Sequence, residues 1–391
     1  MRHTHGFVPA VVLFLLCAVS IGPVPNATAD PLPARWQAAA IGTAHVVAVT
    51  VMPSAPDTLY AAGDGVYRSR DGGVSWTALT TRFQAAEVRV APGNGQILYA
   101  ATGDGCASGR PGTLWRSADA GATWQPRTGG PASLAVSAVD PDDVMGIGCG
   151  GVYRSRDGGQ TWRLLPGSSV PNYDGRLLVR AGSDRAYLYA VFASEGGTPA
   201  LARSTDGGQT WATQVLPDLP GPGDLAVDAR DPRRLTFVSF AGVHVSTDAG
   251  VTWTARNAGL PQAGAFYHLS TATSDPSTGM WYLGSADTSR PRGVFRSGAD
   301  QSWTAITSAP AGQTIAQLVF VPAVSGPALL AVTGAGTLYR FALSGVGDPP
   351  GMPRTGARGP VSSFELALMG IALTGVGLWL RRHARQRRSS Q

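Results

Sequence analysis

Carboxylates, imidazoles and thiols are thinly spread in this sequence. Between residues 30 and 346, glutamate occurs only at Glu87, near Arg89, and at Glu195. Aspartate is commoner, and two carboxylates facing each other across a cleft are the apparatus of glycoside hydrolysis. Many aspartates, however, stand in Asp-Pro turns, as at Asp140, Asp231 and Asp275, where the side chain caps its own backbone. There is no lysine at all, so neither Schiff-base nor P-loop chemistry has its essential amine. His45, His244, His268 and His383 are scattered, without an H-E-x-x-H pattern, and no zinc site is expected. No G-x-S-x-G elbow is present. The run Gly146–Gly151 (GIGCGG) imitates a nucleotide fingerprint but falls in a hairpin with no helix behind it to receive a phosphate. No cofactor and no metal are expected.

Internal repetition explains most of the remaining aspartates. Six segments share one pattern: SRDGGVSW at Ser69–Trp76, SADAGATW at Ser117–Trp124, SRDGGQTW at Ser155–Trp162, STDGGQTW at Ser204–Trp211, STDAGVTW at Ser246–Trp253, and a shortened SGADQSW at Ser297–Trp303. Their starts lie 48, 38, 49, 42 and 51 residues apart, which suits one four-stranded propeller blade per repeat. In each turn the aspartate (Asp71, Asp119, Asp157, Asp206, Asp248) bonds backbone N–H groups. The glycine (Gly73, Gly121, Gly159, Gly208, Gly250) supplies a backbone conformation that other residues resist. The serine or threonine hydroxyl closes the other side. The tryptophan then begins the next strand and covers its own hairpin. The motif is a hairpin staple without a reactive group.

The surrounding sequence repeats as well. Each box follows a short strand that usually ends aromatic–Arg, as at Tyr67-Arg68, Trp115-Arg116, Tyr153-Arg154 and Phe295-Arg296. Before it come an apolar strand and, earlier, an alternating strand that ends in a Pro-rich turn, such as EVRVAP at 87–92 and LAVDARDP at 225–232. The expected unit is strand a, turn, strand b, hairpin, strand c, box, strand d. A seventh unit, 316–343, has strands a to c but no d. Trp36-Gln37-Ala38 near the other end resembles a strand-d start, so the N-terminal strand is expected to complete the last blade and remove the open edges. The fold expected is all-β: a seven-bladed β-propeller over residues 30–346.

The boxes, with their DP…LYA…GVYRSxDGGxTW context, resemble the BNR/Asp-box family, over about residues 36–344. The wider unit resembles the propellers of sortilin-type receptors, photosystem II assembly-factor-like proteins and xyloglucanase-type glycosidases, and sialidases share the boxes. This resemblance implies the fold strongly and the activity hardly at all. A sialidase-like site would need three arginines, a Tyr–Glu nucleophile pair and an acid/base Asp. Arg89 and Arg180 are the conceivable clamp members, with Glu87 beside them; no third arginine is identifiable. The bland alternative for them is surface charge and strand-edge pairing. A xyloglucanase-like site would use paired aspartates, usually in a cleft between two propellers, and this chain has room for one. The resemblance also implies that the b–c and d–a loops, opposite the boxes, carry any site; the long loops at 103–112, 193–200 and 285–292 belong there.

Cys106 and Cys149 fall in the b–c connections of adjacent blades. An oxidising compartment would let them form a disulfide stiffening that rim; the alternative is two free thiols.

The two ends predict where the chain resides. Residues 1–29 read as a signal peptide, with Arg2, an apolar run from Phe7, and Ala27-Thr28-Ala29 before Asp30. Residues 347–360 form a Pro/Gly/Arg linker, 361–380 an apolar segment long enough to span a bilayer, and 381–391 an Arg-rich tail that favours the cytoplasm. Within the linker, Met352-Pro353-Arg354-Thr355-Gly356 resembles a sortase signal with Met replacing Leu. Membrane anchoring and sortase transfer to a cell wall both stay open. Of the 31 basic residues, Arg2 and five in the tail lie outside residues 30–360, leaving 25 against 24 carboxylates. The body is therefore near neutral and nucleic acid is not an expected partner. The reading that follows is an exported, surface-anchored, non-catalytic propeller binding a protein or glycan on its top face, with a sialidase-like glycoside hydrolase as the alternative.

Overall fold

The computed structural model describes residues 35–343 apart from 43, 104–111, 132, 149, 172, 182–185, 195, 220–222, 262–268, 286–292, 299–301, 309 and 311–312. The signal, linker, apolar and tail assignments, the Met352–Gly356 motif, Cys106, Cys149 and Glu195 all lie outside these residues.

The described chain is all-β and forms seven four-stranded antiparallel sheets, each in the order a-b-c-d. Strands a to c of the blades are Val46–Val51, Leu59–Gly63 and Val66–Ser69 in blade 1; Glu87–Ala91, Asn94–Ala101 and Gly112–Ser117 in blade 2; Ser133–Val136, Val144–Gly148 and Gly151–Ser155 in blade 3; Asp174–Ala181, Tyr187–Ala193 and Pro199–Ser204 in blade 4. They are Asp224–Val227, Leu235–Ser239 and Gly242–Ser246 in blade 5; Leu269–Ser274, Trp281–Ser285 and Gly293–Ser297 in blade 6; Ile315–Val321, Ala328–Thr333 and Leu338–Ala342 in blade 7. Strand d of blade 7 is the N-terminal Trp36–Ala38, with Trp36 opposite Phe341 and Ala38 opposite Tyr339. The closure expected from the Trp36 motif is thus observed.

Strands a and b carry runs of small and branched apolar residues because both faces of each sheet are covered by neighbouring blades. Strands d of blades 1, 3 and 5 are short, with two to four residues, and largely exposed. The core is divided into seven apolar clusters, one at each seam. One of them joins Val49, Leu59 and Ala61 of blade 1 to Val319, Leu330 and Val332 of blade 7 and closes the ring.

Five boxes share one geometry. In the first, Ser69 Oγ accepts the Gly73 N–H at 2.9 Å and donates to Asp71 Oδ1 at 2.8 Å. Asp71 Oδ1 accepts the N–H groups of Val74 and Ser75 at 3.0 and 2.9 Å. Gly72 and Gly73 have φ of 69° and 89°, and Ala120 and Ala249 hold the first of these positions in their boxes at 56° and 62°. That residue's N–H docks the box on the a–b turn of its own blade, or in blade 2 on the start of strand b: Gly72 on Asp57 O, Ala120 on Gln96 O, Gly158 on Asp142 O, Gly207 on Ala186 O and Ala249 on Arg233 O. Boxes and a–b turns therefore share one face, and the b–c and d–a connections form the other. Three strand-c arginines reach across a seam. Arg68 donates to Ala120 O, Arg203 to Gly250 O and Arg340 to Gly72 O, each on the box of the next blade.

Two details depart from the expected repeat. In the five regular boxes strand d begins after the tryptophan rather than on it. Trp303 of the shortened box is itself the first residue of its strand and is buried; its indole N–H donates to Arg256 O of the preceding blade at 2.7 Å. Trp76, Trp124 and Trp211 donate instead to the carbonyls of their own box glycines.

Candidate functional site

The face opposite the boxes is where every innermost strand begins, and there the polar side chains of strand a form a ring of inter-blade links. Glu87 Oε1 accepts the Leu134 N–H of blade 3. Ser133 Oγ accepts the Leu178 N–H of blade 4, Asp224 Oδ2 the Ala272 N–H of blade 6, and Thr271 Oγ1 the Leu318 N–H of blade 7. Gln317 completes the series on Val49 of blade 1. The pairing registers place all five at one equivalent position, occupied in blades 1 and 4 by Ala48 and Leu177. All five side chains are buried, and each pairs an amide that a neighbouring blade would otherwise leave unsatisfied.

The two carboxylates of this ring differ electrostatically. Glu87 forms a 2.6 Å ion pair with Arg89, whose Nε donates to Leu134 O. Burial pushes the Glu87 carboxyl up, opposed by the Arg89 charge and the Leu134 N–H. Asp224 has no ion-pair partner among the described residues. Burial pushes its carboxyl up to about 7, with the Ala272 N–H and the Thr271 hydroxyl working against it, and Oδ1 has no hydrogen-bond partner among the described residues.

Glu87 and Arg89 are paired with each other and with Leu134 across the blade 2–blade 3 seam, whereas the Arg180 side chain lies outside the described residues. Arg89 is 8% exposed and locked across the seam, so it is neither a surface charge nor an open anion ligand. Opposite strand b, Arg89 pairs with Tyr99, and the equivalent Tyr189 pairs with Val179. Arg180, one residue further on, stands at the position of Val90 and does not repeat Arg89. The link that buries Glu87 was missed because it needs Leu134, 47 residues away. The five polar residues at one register of strand a would have been visible had the seven alternating strands been aligned on each other.

Among the described residues, the exposed carboxylates on this face are Asp64, in the b–c turn of blade 1, and Asp218, in the d–a connection entering blade 5. Asp64 Oδ2 accepts the His45 N–H at 3.0 Å. Beside Asp218, His244 of strand c is half-buried; burial lowers its pKa, opposed by the Asp218 charge. No group of three or more metal-ligating side chains occurs among the described residues. Two exposed carboxylates therefore lie on the loop face, Asp64 held by a backbone N–H and Asp218 beside a half-buried imidazole.

The comparisons with known proteins bear on both fold and activity. The family model for the BNR/Asp-box repeat matches residues 153–164, the third box with its strand c. A xyloglucanase of Paenibacillus sp is 26% identical over 284 residues, covering 54% of this chain and 26% of that protein. The xyloglucanase Xgh74A of Acetivibrio thermocellus is 27% identical over 332 residues, covering 74% and 35%. The chain thus spans about a quarter to a third of the length of these relatives. Among solved structures, an ancestral GH74 enzyme superposes with a TM-score of 0.59 at 18% identity, over 78% of this chain and 46% of that one. YCF48 bound to D1 peptide superposes with a TM-score of 0.56 at 16% identity, over 84% and 98%.

These findings correct the expectation of a non-catalytic scaffold. Both sequence relatives carry the name of a glycoside hydrolase, and neither is named a sialidase. That expectation rested on the lack of a recognisable catalytic spacing. Carboxylates placed on variable loops by a ring of blades have no fixed spacing to recognise.

Proposed function

We propose that the propeller belongs to a glycoside hydrolase acting on a polysaccharide of the xyloglucan type, with the loop face as its substrate surface. The observation that carries this reading is the similarity to two xyloglucanases, across as much as 74% of this chain. The loop face supports it physically. Asp64 and Asp218 are solvent-exposed there, whereas the boxes commit their aspartates to turn geometry. In this reading Asp64 and Asp218 are the carboxylates to test for acid and base roles. Glu87 and Asp224 are the structural carboxylates behind them.

The test is reducing-end release from xyloglucan by the purified chain, with Asp64→Asn and Asp218→Asn alongside. The reading predicts turnover by the parent and a loss of about 100-fold or more in at least one variant, the size typical for removing a general acid or base. No release from xyloglucan or from other β-glucans, at enzyme concentrations that would detect slow turnover, would refute it.

A further inference from the structure

The ring of strand-a links contains one carboxyl with no ion-pair partner among the described residues. Ser133, Thr271 and Gln317 are neutral, and Glu87 is paired with Arg89. Asp224 holds the seam between blades 5 and 6 with Oδ2 on the Ala272 N–H at 3.1 Å. It is fully buried, and its second oxygen has no partner among the described residues. Nothing ionisable other than Asp224 lies on its own strand, on Leu235–Ser239 of the same blade, or on Leu269–Ser274 across the seam. His268 precedes the last of these strands and lies outside the described residues. Strand a of blade 4, packed on the other side, carries Asp174, Arg176 and Arg180, whose side chains lie outside them too.

We propose that the blade 5–blade 6 seam is a pH-gated hinge, closed while Asp224 is a neutral carboxylic acid and loosened when it ionises. A neutral acid accepts the Ala272 N–H as the serine, threonine and glutamine do at their seams. An ionised one leaves a buried charge with one bare oxygen, and local opening relieves it by admitting water. The raised pKa of the folded carboxyl sets the window and its sign. In the opened seam the group titrates near the ordinary value of about 4. Closure is therefore fully favoured below about pH 4 and weakens progressively as pH rises to about 7. Above about 7 the carboxylate is ionised in both states and the effect levels off. The connection from blade 5 to blade 6 lies on the loop face, so opening changes the rim of the proposed substrate surface. The hinge does not depend on that surface being catalytic.

Native-state hydrogen exchange at the Ala272 amide reads the gate directly. After correction for intrinsic exchange, protection in the parent falls by up to about tenfold per pH unit between about pH 5 and 7 and then levels. In Asp224→Asn, and in Asp224→Ser, which copies the Ser133 seam, Ala272 protection is flat with pH. Flat protection in the parent, or the same slope in parent and variants, would overturn the hinge. The parent measurement decides the matter alone should neither variant fold.

Discussion

Gln317 pairs with both backbone groups of Val49: Oε1 accepts the Val49 N–H and Nε2 donates to the Val49 carbonyl, each at 2.8 Å, although 268 residues separate them. Of the five strand-a links, this one lies at the seam where the ring closes between blade 7 and blade 1. Gln317→Ala would leave both Val49 groups and a small void in a buried seam. The expected cost is about 2–4 kcal/mol from unpaired polar groups and lost packing, measured as a lower midpoint in urea unfolding. An unchanged midpoint would mean that the seam is held by its apolar cluster alone.

The Glu87–Arg89 pair offers a comparison that the protein itself supplies, because blade 4 places Leu177 and Val179 at the same two positions. Glu87→Leu alone leaves a buried guanidinium and Arg89→Val alone a buried carboxyl, each expected to cost about 3–5 kcal/mol. The double variant copies blade 4 and should cost less than either single change. A double variant as damaged as the sum of the singles would show that the ion pair contributes more than blade 4's apolar solution.

Ala120 holds a left-handed backbone at φ 56° in a position where three of the five regular boxes have glycine. Its side chain is only half-buried, so Ala120→Gly relieves backbone strain with little loss of packing. A gain of about 0.5–1 kcal/mol is expected, seen as a small rise in Tm. Ala249→Gly should gain less, because the Ala249 methyl is buried against the blade 4–blade 5 cluster. Equal gains at the two sites would contradict this distinction.

Acid should unfasten the boxes in a defined window. The hydroxyl and amide of Thr123 and the Ser117 hydroxyl hold the Asp119 carboxyl down to about 2, and those of Thr161 with Ser155 do the same for Asp157. At Asp248 partial burial works the other way, but the Thr252 and Ser246 bonds outweigh it and again bring the carboxyl to about 2. A carboxyl whose pKa is depressed in the fold contributes stability above its unfolded value of about 4 and loses it as pH falls towards 2. Unfolding midpoints should therefore drop steeply between about pH 4 and 2. Asp157→Asn should shallow that slope, whereas an unaltered slope would place the acid sensitivity elsewhere.

The six boxes, the box-less unit at 316–343 and the Trp36 motif were together enough to specify seven blades, the strand order within each, and closure through Trp36. Box geometry is local: Ser, Asp and Gly act within five residues of one another, so their types and spacing alone dictate the turn. The aromatic–Arg endings were equally plain in the sequence, but their use was not: Arg68 and Arg340 act on carbonyls of the next blade, whereas Arg116 and Arg154 pair with Asp142 and Asp143. Strand-a polarity was legible only as alternation. Whether Glu87, Asp224 or Gln317 faced solvent, a channel or a seam depended on the neighbouring blade's amides, between 47 and 268 residues away. The sequence by itself determined the repeating unit, because that unit is built from short-range hydrogen bonds and period-2 burial. Only the tertiary structure decided which polar residues became structural, because a side chain buried between two blades takes its partner from a strand that local spacing does not specify.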